Sequence, residues 1–74
     1  MGSAYEPLTD CVGFGAALRR SRKEMGLTLE ELALQVGYSA RLVGEAERGV
    51  RTLPLDKALR LARTVGIDLF YKVR

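Results

Sequence analysis

Seven of the twelve basic side chains of this chain form two clusters. Guanidinium groups, which six of the seven carry, bind phosphate or donate hydrogen bonds to the edge of a guanine. The formal net charge of +3 permits binding to nucleic acid without demanding it. Taken alone, either cluster is better explained as a solvated helix face, so the case depends on the elements that carry it. The clusters comprise Arg19, Arg20, Arg22 and Lys23, and Arg41, Arg48 and Arg51.

Other site chemistries lack their residues in this chain. There is no His, and Cys11 is the only cysteine, which argues against a metal site and excludes a disulfide within the chain. No phosphate-binding loop and no carboxylate pair tied to a pocket motif occur, and 74 residues leave little room for a cleft. We therefore expect no cofactor and no enzymatic activity.

The length predicts one small domain. So short a chain buries little core, and with disulfide and metal set aside, oligomerisation is the remaining aid to stability. The lone cysteine and the absence of a signal peptide predict a cytoplasmic protein. No apolar run approaches the roughly 18 residues of a membrane span. We divide the chain into a lead-in at 1–8, a helical domain at 9–66 and a C-terminal segment at 67–74.

Capping residues predict the first two helices. The first helix begins at a cap provided by Thr9 or Asp10 and runs to about Met25. The second begins at a capping box, in which the hydroxyl of Thr28 accepts from the amide of Glu31 while the Glu31 carboxylate accepts from the amide of Thr28. These local signals predict the start of each helix without reference to the rest of the fold.

Two further helices follow in the same way. The third spans 39–48 with Ser39 as its cap, and so short a turn, beginning at Gly37, makes it cross the second helix steeply. The fourth has Pro54 in its first turn, where the missing N–H costs nothing. Its predicted buried stripe is Leu55, Leu59, Ala62 and Val65.

The last segment has the period of two that is typical of a strand, with Ile67, Leu69, Tyr71 and Val73 on one side. We find no second strand pattern in the chain. An isolated strand would leave its backbone N–H and C=O groups unpaired, so we expect it to pair with the same strand of a second copy about a twofold axis. The alternative is a tail that packs on the helices without a ladder.

The segment 26–49, GLTLEELALQVGYSARLVGEAERG, resembles the Cro/cI-type (Xre, lambda-repressor-like) helix-turn-helix. The resemblance extends over about residues 14–69. The matching elements are Thr28, Glu31-Leu32-Ala33, Gly37-Tyr38-Ser39, Val43 and Glu47-Arg48-Gly49. It implies an all-α fold of four helices, here followed by one short strand that pairs across a homodimer. It also implies a transcriptional regulator, most simply a repressor, that binds a pseudo-palindromic double-stranded DNA operator.

Within that family the chain is most similar to HipB-like antitoxin repressors. The likeness rests on Tyr5 and Pro7 in the lead-in and on the short strand expected after the fourth helix. The resemblance leaves an alternative open, in which the main role is binding a partner toxin of the HipA-like kinase type and DNA binding is secondary. Toxin binding would use a surface away from the third helix and would tolerate loss of Arg41.

The family resemblance implies which side chains read DNA bases, because its third helix lies in the major groove. The implied contacts are Ala40, Arg41, Gly44 and Glu45. Arg41 suits guanine O6 and N7, whereas Glu45 either accepts from cytosine N4 or orients Arg41 four residues earlier. The alternative for that pair is a simple ion pair within the helix.

The expected phosphate contacts lie at the ends of the motif and comprise Thr28, Ser39, Arg48, Arg51 and Arg19. Relatives usually place a phosphate-binding Gln at the position of Leu29, so this chain departs from the family there. The resemblance further pairs Arg22 with Glu47 as a partly buried ion pair between the first and third helices. That pair is expected to be structural.

Overall fold

The computed structural model describes residues 10–70 and residue 73. It is all-α over this part of the chain, as predicted, with α1 at Cys11–Glu24, α2 at Leu29–Val36, α3 at Ala40–Arg48 and α4 at Leu55–Thr64. The lead-in at 1–8, Thr9 as a possible cap, the Tyr5 and Pro7 likeness to HipB and the expected strand residue Tyr71 all lie outside the described residues.

Three of the helices begin at the predicted side-chain caps. The Asp10 carboxylate accepts from the amide of Gly13 at 2.7 Å, which makes Asp10 the cap of α1. At α2 the Thr28 hydroxyl accepts from the Glu31 amide at 3.0 Å, and the Glu31 carboxylate accepts from the Thr28 amide at 2.8 Å. Ser39 accepts from the amide of residue 42 at 3.0 Å and starts α3. Each of these helix starts is therefore explained by contacts within three residues.

The short turn between α2 and α3 is made possible by Gly37, whose φ of +77° lies in the left-handed region. The core forms where the helices cross, and its largest fully buried side chains are Leu18, Leu32, Leu61, Val36 and Val43. The two short helices α2 and α3 thus present one apolar face to α1 and α4, and the outer side of α3 stays at the surface.

The buried stripe of α4 differs from the prediction at its first turn. Pro54 caps the helix instead of lying within it, and Leu55 is 72% exposed. Leu53, in the segment before the helix, packs against the core in its place, and Leu61 is fully buried further along. The prediction for Leu55 was wrong because the path of the preceding chain, not the helical period, decides which leucine reaches the core.

Backbone contact sets the distance between α1 and α3. Gly15 is buried at this crossing, and a Cβ at that position would lie 2.5 Å from the carbonyl oxygen of Glu47 and even closer to that of Ala46. Near the start of α1, a Cβ added at Gly49 would lie 2.6 Å from the Cα of Val12. The two helices therefore lie closer together than any larger residue at these sites would allow.

The C-terminal segment of this single chain shows no strand at 67–70 or at Val73. Ile67 is half-buried against the helical core, and its amide donates to the carbonyl of Ala62 at 2.8 Å. Leu69 is 38% exposed and Val73 is 80% exposed. Among the described residues, no helix is long and apolar enough to cross a membrane.

Candidate nucleic-acid interface

Fewer of the implied base-contacting residues are exposed on the outer side of α3 than the resemblance suggested. Arg41 projects from it with a side chain that is 86% exposed. Ala40 is half-buried and packs against the core, and Gly44 is buried. The Cβ that Gly44 lacks would lie 3.2 Å from Cδ2 of Leu29 and 3.4 Å from Nη1 of Arg48. Gly44, one of the base contacts that the resemblance implies, is therefore not at the surface of this structure, because side chains from α2 and from the end of α3 cover it.

Leu29 replaces the polar residue that relatives carry at the start of α2. It is half-buried, packs against the core and covers Gly44. Sequence reasoning recognised Leu29 only as the loss of a phosphate contact. Its packing role depends on the glycine opposite, and the signal that could have revealed it is the pairing of a large apolar residue with a glycine in the neighbouring helix.

A groove at this side of the molecule brings Arg48 of the second basic cluster next to the first cluster. Its walls come from α1, the beginning of α2 and the last turns of α3. Arg48 of the second cluster lines the same groove as the basic residues of α1, which are Arg19, Arg20, Arg22 and Lys23. Arg48 is distant from the first cluster in the sequence, so its place beside that cluster is a property of the fold. The groove offers several guanidinium and ammonium donors to an anionic ligand.

Arg41 and Arg51 converge on one carboxylate. Glu45 Oε1 accepts from Nη1 of Arg51 at 2.9 Å, and Glu45 Oε2 lies 3.5 Å from Nε of Arg41. The hydrogen bond from Arg51 lowers the pKa of Glu45 below its ordinary value, and the charge of Arg41 lowers it further. Glu45 is therefore ionised at neutral pH, and its attraction for the two arginines is lost only when the pH falls through that lowered pKa.

The two hydroxyl groups at the helix starts are already used as capping acceptors. Thr28 and Ser39 each accept a backbone amide hydrogen in the first turn of their helix. A hydroxyl that accepts such a bond retains its O–H as a donor. Both residues are exposed, so each side chain can cap its helix and still donate to an anion.

Arg22 and Glu47 tie α1 to α3 through a buried ion pair. Arg22 Nε lies 2.6 Å from Glu47 Oε2, and Arg22 Nη2 donates to Glu47 Oε1 at 3.0 Å. The third guanidinium nitrogen, Nη1, donates to the carbonyl of Leu27 at 2.8 Å. The hydrogen bonds to Glu47 raise the pKa of Arg22. All three guanidinium nitrogens are engaged, two with α3 and one with the turn before α2. Arg22 therefore supports the groove structurally.

Comparisons with known proteins agree with this arrangement. Residues 18–72 match the helix-turn-helix family model HTH_3. An uncharacterized HTH-type transcriptional regulator of Methanothermobacter thermautotrophicus is 43% identical over 49 residues, which cover 66% of this chain and 71% of that protein.

Two solved structures share the fold. The restriction-modification controller protein C.AhdI from Aeromonas hydrophila superimposes with a TM-score of 0.72 at 40% identity, over 78% of this chain and 88% of its own. The clp gene regulator ClgR from C. glutamicum superimposes with a TM-score of 0.73 at 33% identity, over 90% of this chain and 85% of its own.

Proposed function

The chain belongs to the helix-turn-helix family of DNA-binding transcription regulators, and from this premise we propose that it is a homodimeric repressor. In this proposal α3 lies in the major groove of an operator and reads its sequence. Two copies related by a twofold axis place their α3 helices about 34 Å apart, one turn of DNA, so the operator is a pseudo-palindrome. Nothing in the described residues favours the alternative of a toxin-binding protein.

The observation that carries the proposal is the position of Arg41. It is the exposed arginine on the outer side of α3, one residue after Ala40 and on the same face as Glu45. A guanidinium there can donate to guanine O6 and N7 as a bidentate pair. Ala40, being half-buried, contributes at most a contact with a thymine methyl group.

Phosphate contacts complete the proposal on either side of α3. Arg48 and Arg19 line the basic groove, and Arg51 lies beyond the end of α3 beside Glu45. Thr28 and Ser39 supply hydroxyl donors at the starts of α2 and α3. Contacts of this kind fix the register of the protein on the duplex and make the affinity depend on salt.

We expect Arg48→Ala to weaken binding to all duplexes and Arg41→Ala to weaken binding to the operator alone. Arg48→Ala should reduce the slope of log affinity against log salt by about 0.9, the effect of one lost phosphate contact. Arg41→Ala should cost about 1–3 kcal/mol on an operator selected from a random pool, with little change on random duplex DNA. Fluorescence anisotropy across a salt series measures both effects.

Arg60→Ala is the matched control for these variants, because Arg60 is an exposed arginine of α4 outside the basic groove. If it weakens binding as much as Arg48→Ala does, the effect is one of net charge and the proposed interface is wrong. If the parent protein does not bind random duplex DNA even at low salt, the proposed function itself is wrong.

The homodimer is proposed to form through the C-terminal segment, with Leu69, Tyr71 and Val73 facing the second copy and Ile67 held by the helical core. Truncation after Asp68 removes the three facing residues and leaves Ile67 in its core contact. We expect the truncated chain to sediment as a monomer at concentrations where the parent is a dimer, because its edge hydrogen bonds are gone. A truncated chain that stays dimeric would exclude strand pairing as the basis of the dimer.

A further inference from the structure

Glu45 touches two arginines that come from different parts of the chain. Arg41 lies in the first turn of α3, one turn before Glu45, and its Nε is 3.5 Å from the carboxylate. Arg51 lies after the end of α3 and donates to the other carboxylate oxygen at 2.9 Å. The Glu45 side chain is only 20% exposed, whereas those of Arg41 and Arg51 are 86% and 49% exposed. The carboxylate is thus sheltered, and the cations it holds face solvent.

The geometry at Arg41 suits a side chain that is held in place without being blocked. The closest approach to Glu45 is made by Nε, 3.5 Å from the carboxylate, and the guanidinium also carries two terminal nitrogens. Those two nitrogens are the ones that can donate together to guanine O6 and N7. A carboxylate beside Nε therefore favours one orientation of the guanidinium, and the Arg41 side chain remains 86% exposed and accessible to a base.

Arg51 is held differently. Its contact with Glu45 uses Nη1, a terminal nitrogen that would otherwise bind a phosphate. To make a full phosphate contact, Arg51 must exchange that hydrogen bond for one to DNA. The carboxylate also repels the phosphate backbone on every sequence, since both are negative. Glu45 consequently opposes backbone contacts on any duplex, whereas on an operator it supports base reading by Arg41.

We propose that Glu45 is a positioning residue that raises sequence specificity, by orienting Arg41 for base reading and by withholding Arg51 from indiscriminate phosphate contacts. This inference rests on the proposed DNA-binding function. It differs from a direct role, in which Glu45 itself accepts a hydrogen bond from cytosine N4. In the direct role the two arginines are incidental, and in the positioning role they carry the effect.

The test compares Glu45→Gln with the parent on random duplex DNA and on an operator selected with the parent. Glutamine keeps the length of the side chain and removes its charge. We expect the affinity for random DNA to rise and its salt slope to steepen by about 0.9, the effect of one added phosphate contact. The ratio of operator to random affinity should fall about five- to tenfold as Arg41 loses its orientation.

Two further variants test whether Arg51 carries the effect and whether a general effect of charge explains it. Glu45→Gln combined with Arg51→Ala should return the salt slope to the parent value, because the released arginine is gone. Asp56→Asn, which removes one negative charge from an exposed site in the first turn of α4, outside the basic groove, should leave the slope and the ratio unchanged. Thermal unfolding of each variant checks that it is folded at the temperature of the assay.

Three results would overturn the inference. One is an unchanged slope and ratio in Glu45→Gln while the parent binds DNA. Another is a loss of operator affinity with no change on random DNA or in the salt slope, which would assign Glu45 to direct base contact. The third is failure of the parent to bind DNA at all, and this result alone also removes the proposed function.

Discussion

Glu47→Leu is expected to lower the free energy of unfolding by about 3–5 kcal/mol, because it leaves the buried guanidinium of Arg22 without its counter-charge. Glu47 accepts from two nitrogens of Arg22, and both side chains are at most 10% exposed. A small domain has a total stability of only about 5 kcal/mol at the lower end of the usual range. The variant should therefore be largely unfolded, or close to it, at room temperature.

The double variant Arg22→Met with Glu47→Leu shows whether Glu47→Leu destabilises the fold by leaving Arg22 unpaired or by removing a net stabilising interaction. Replacing both charges by apolar groups of similar size removes the cost of an unpaired ion and is often close to neutral. We expect urea unfolding to show Arg22→Met and Glu47→Leu each strongly destabilised and the double variant much nearer to the parent. If the two single effects simply add, the charges are not coupled and the ion pair does not explain the destabilisation.

The pair also has a functional consequence, since Arg22 joins the elements that carry the basic groove. It bonds to Glu47 near the end of α3 and to the carbonyl of Leu27 just before α2. The double variant should therefore be the informative one for DNA binding: folded, but with α3 less firmly held against α1. Its affinity for random DNA reports whether that support is needed for binding.

Gly15→Ala is expected to lower the free energy of unfolding by about 1–3 kcal/mol, the usual cost of overpacking a tight contact. An added Cβ would lie 2.5 Å from the carbonyl oxygen of Glu47, and both nearby oxygens belong to the α3 backbone. Backbone atoms cannot rotate away as a side chain does, so α3 must shift as a unit. This cost opposes a gain of up to about 1 kcal/mol from the better helix propensity of alanine.

Gly13→Ala provides the matched control within the same helix. A Cβ there would meet only the Asp10 carboxylate oxygen at 3.3 Å, the end of a side chain that can adjust. We expect Gly13→Ala to be neutral or slightly stabilising in urea unfolding. Equal stability of the two alanine variants would mean that α1 and α3 do not approach as closely as described. Where Gly15→Ala is still folded, the displaced α3 should also weaken DNA binding.

The starts of α2 and α3 and the turn between them were determined by the sequence alone, whereas for α1 the sequence left Thr9 or Asp10 as the cap. Asp10, Thr28 and Ser39 cap their helices through bonds to amides three residues away. Gly37 permits the left-handed turn that follows α2. Contacts of this range form between neighbours in the chain, so residue types and spacing suffice to predict them. The family resemblance supplied one longer contact, between Arg22 and Glu47.

Tertiary structure decided which side chains the interface presents. Leu29 covers Gly44, and Glu45 accepts a hydrogen bond from Arg51, which lies after the end of α3. Arg48 lines the same groove as the arginines of α1. The close approach at Gly15 and the choice of Leu53 over Leu55 for the core arise in the same way. These contacts depend on the distance and crossing angle of packed helices, which helical periodicity does not specify. Helical periodicity thus predicts which residues of α3 point outward, but the side chains of the neighbouring elements decide which of those residues stay exposed.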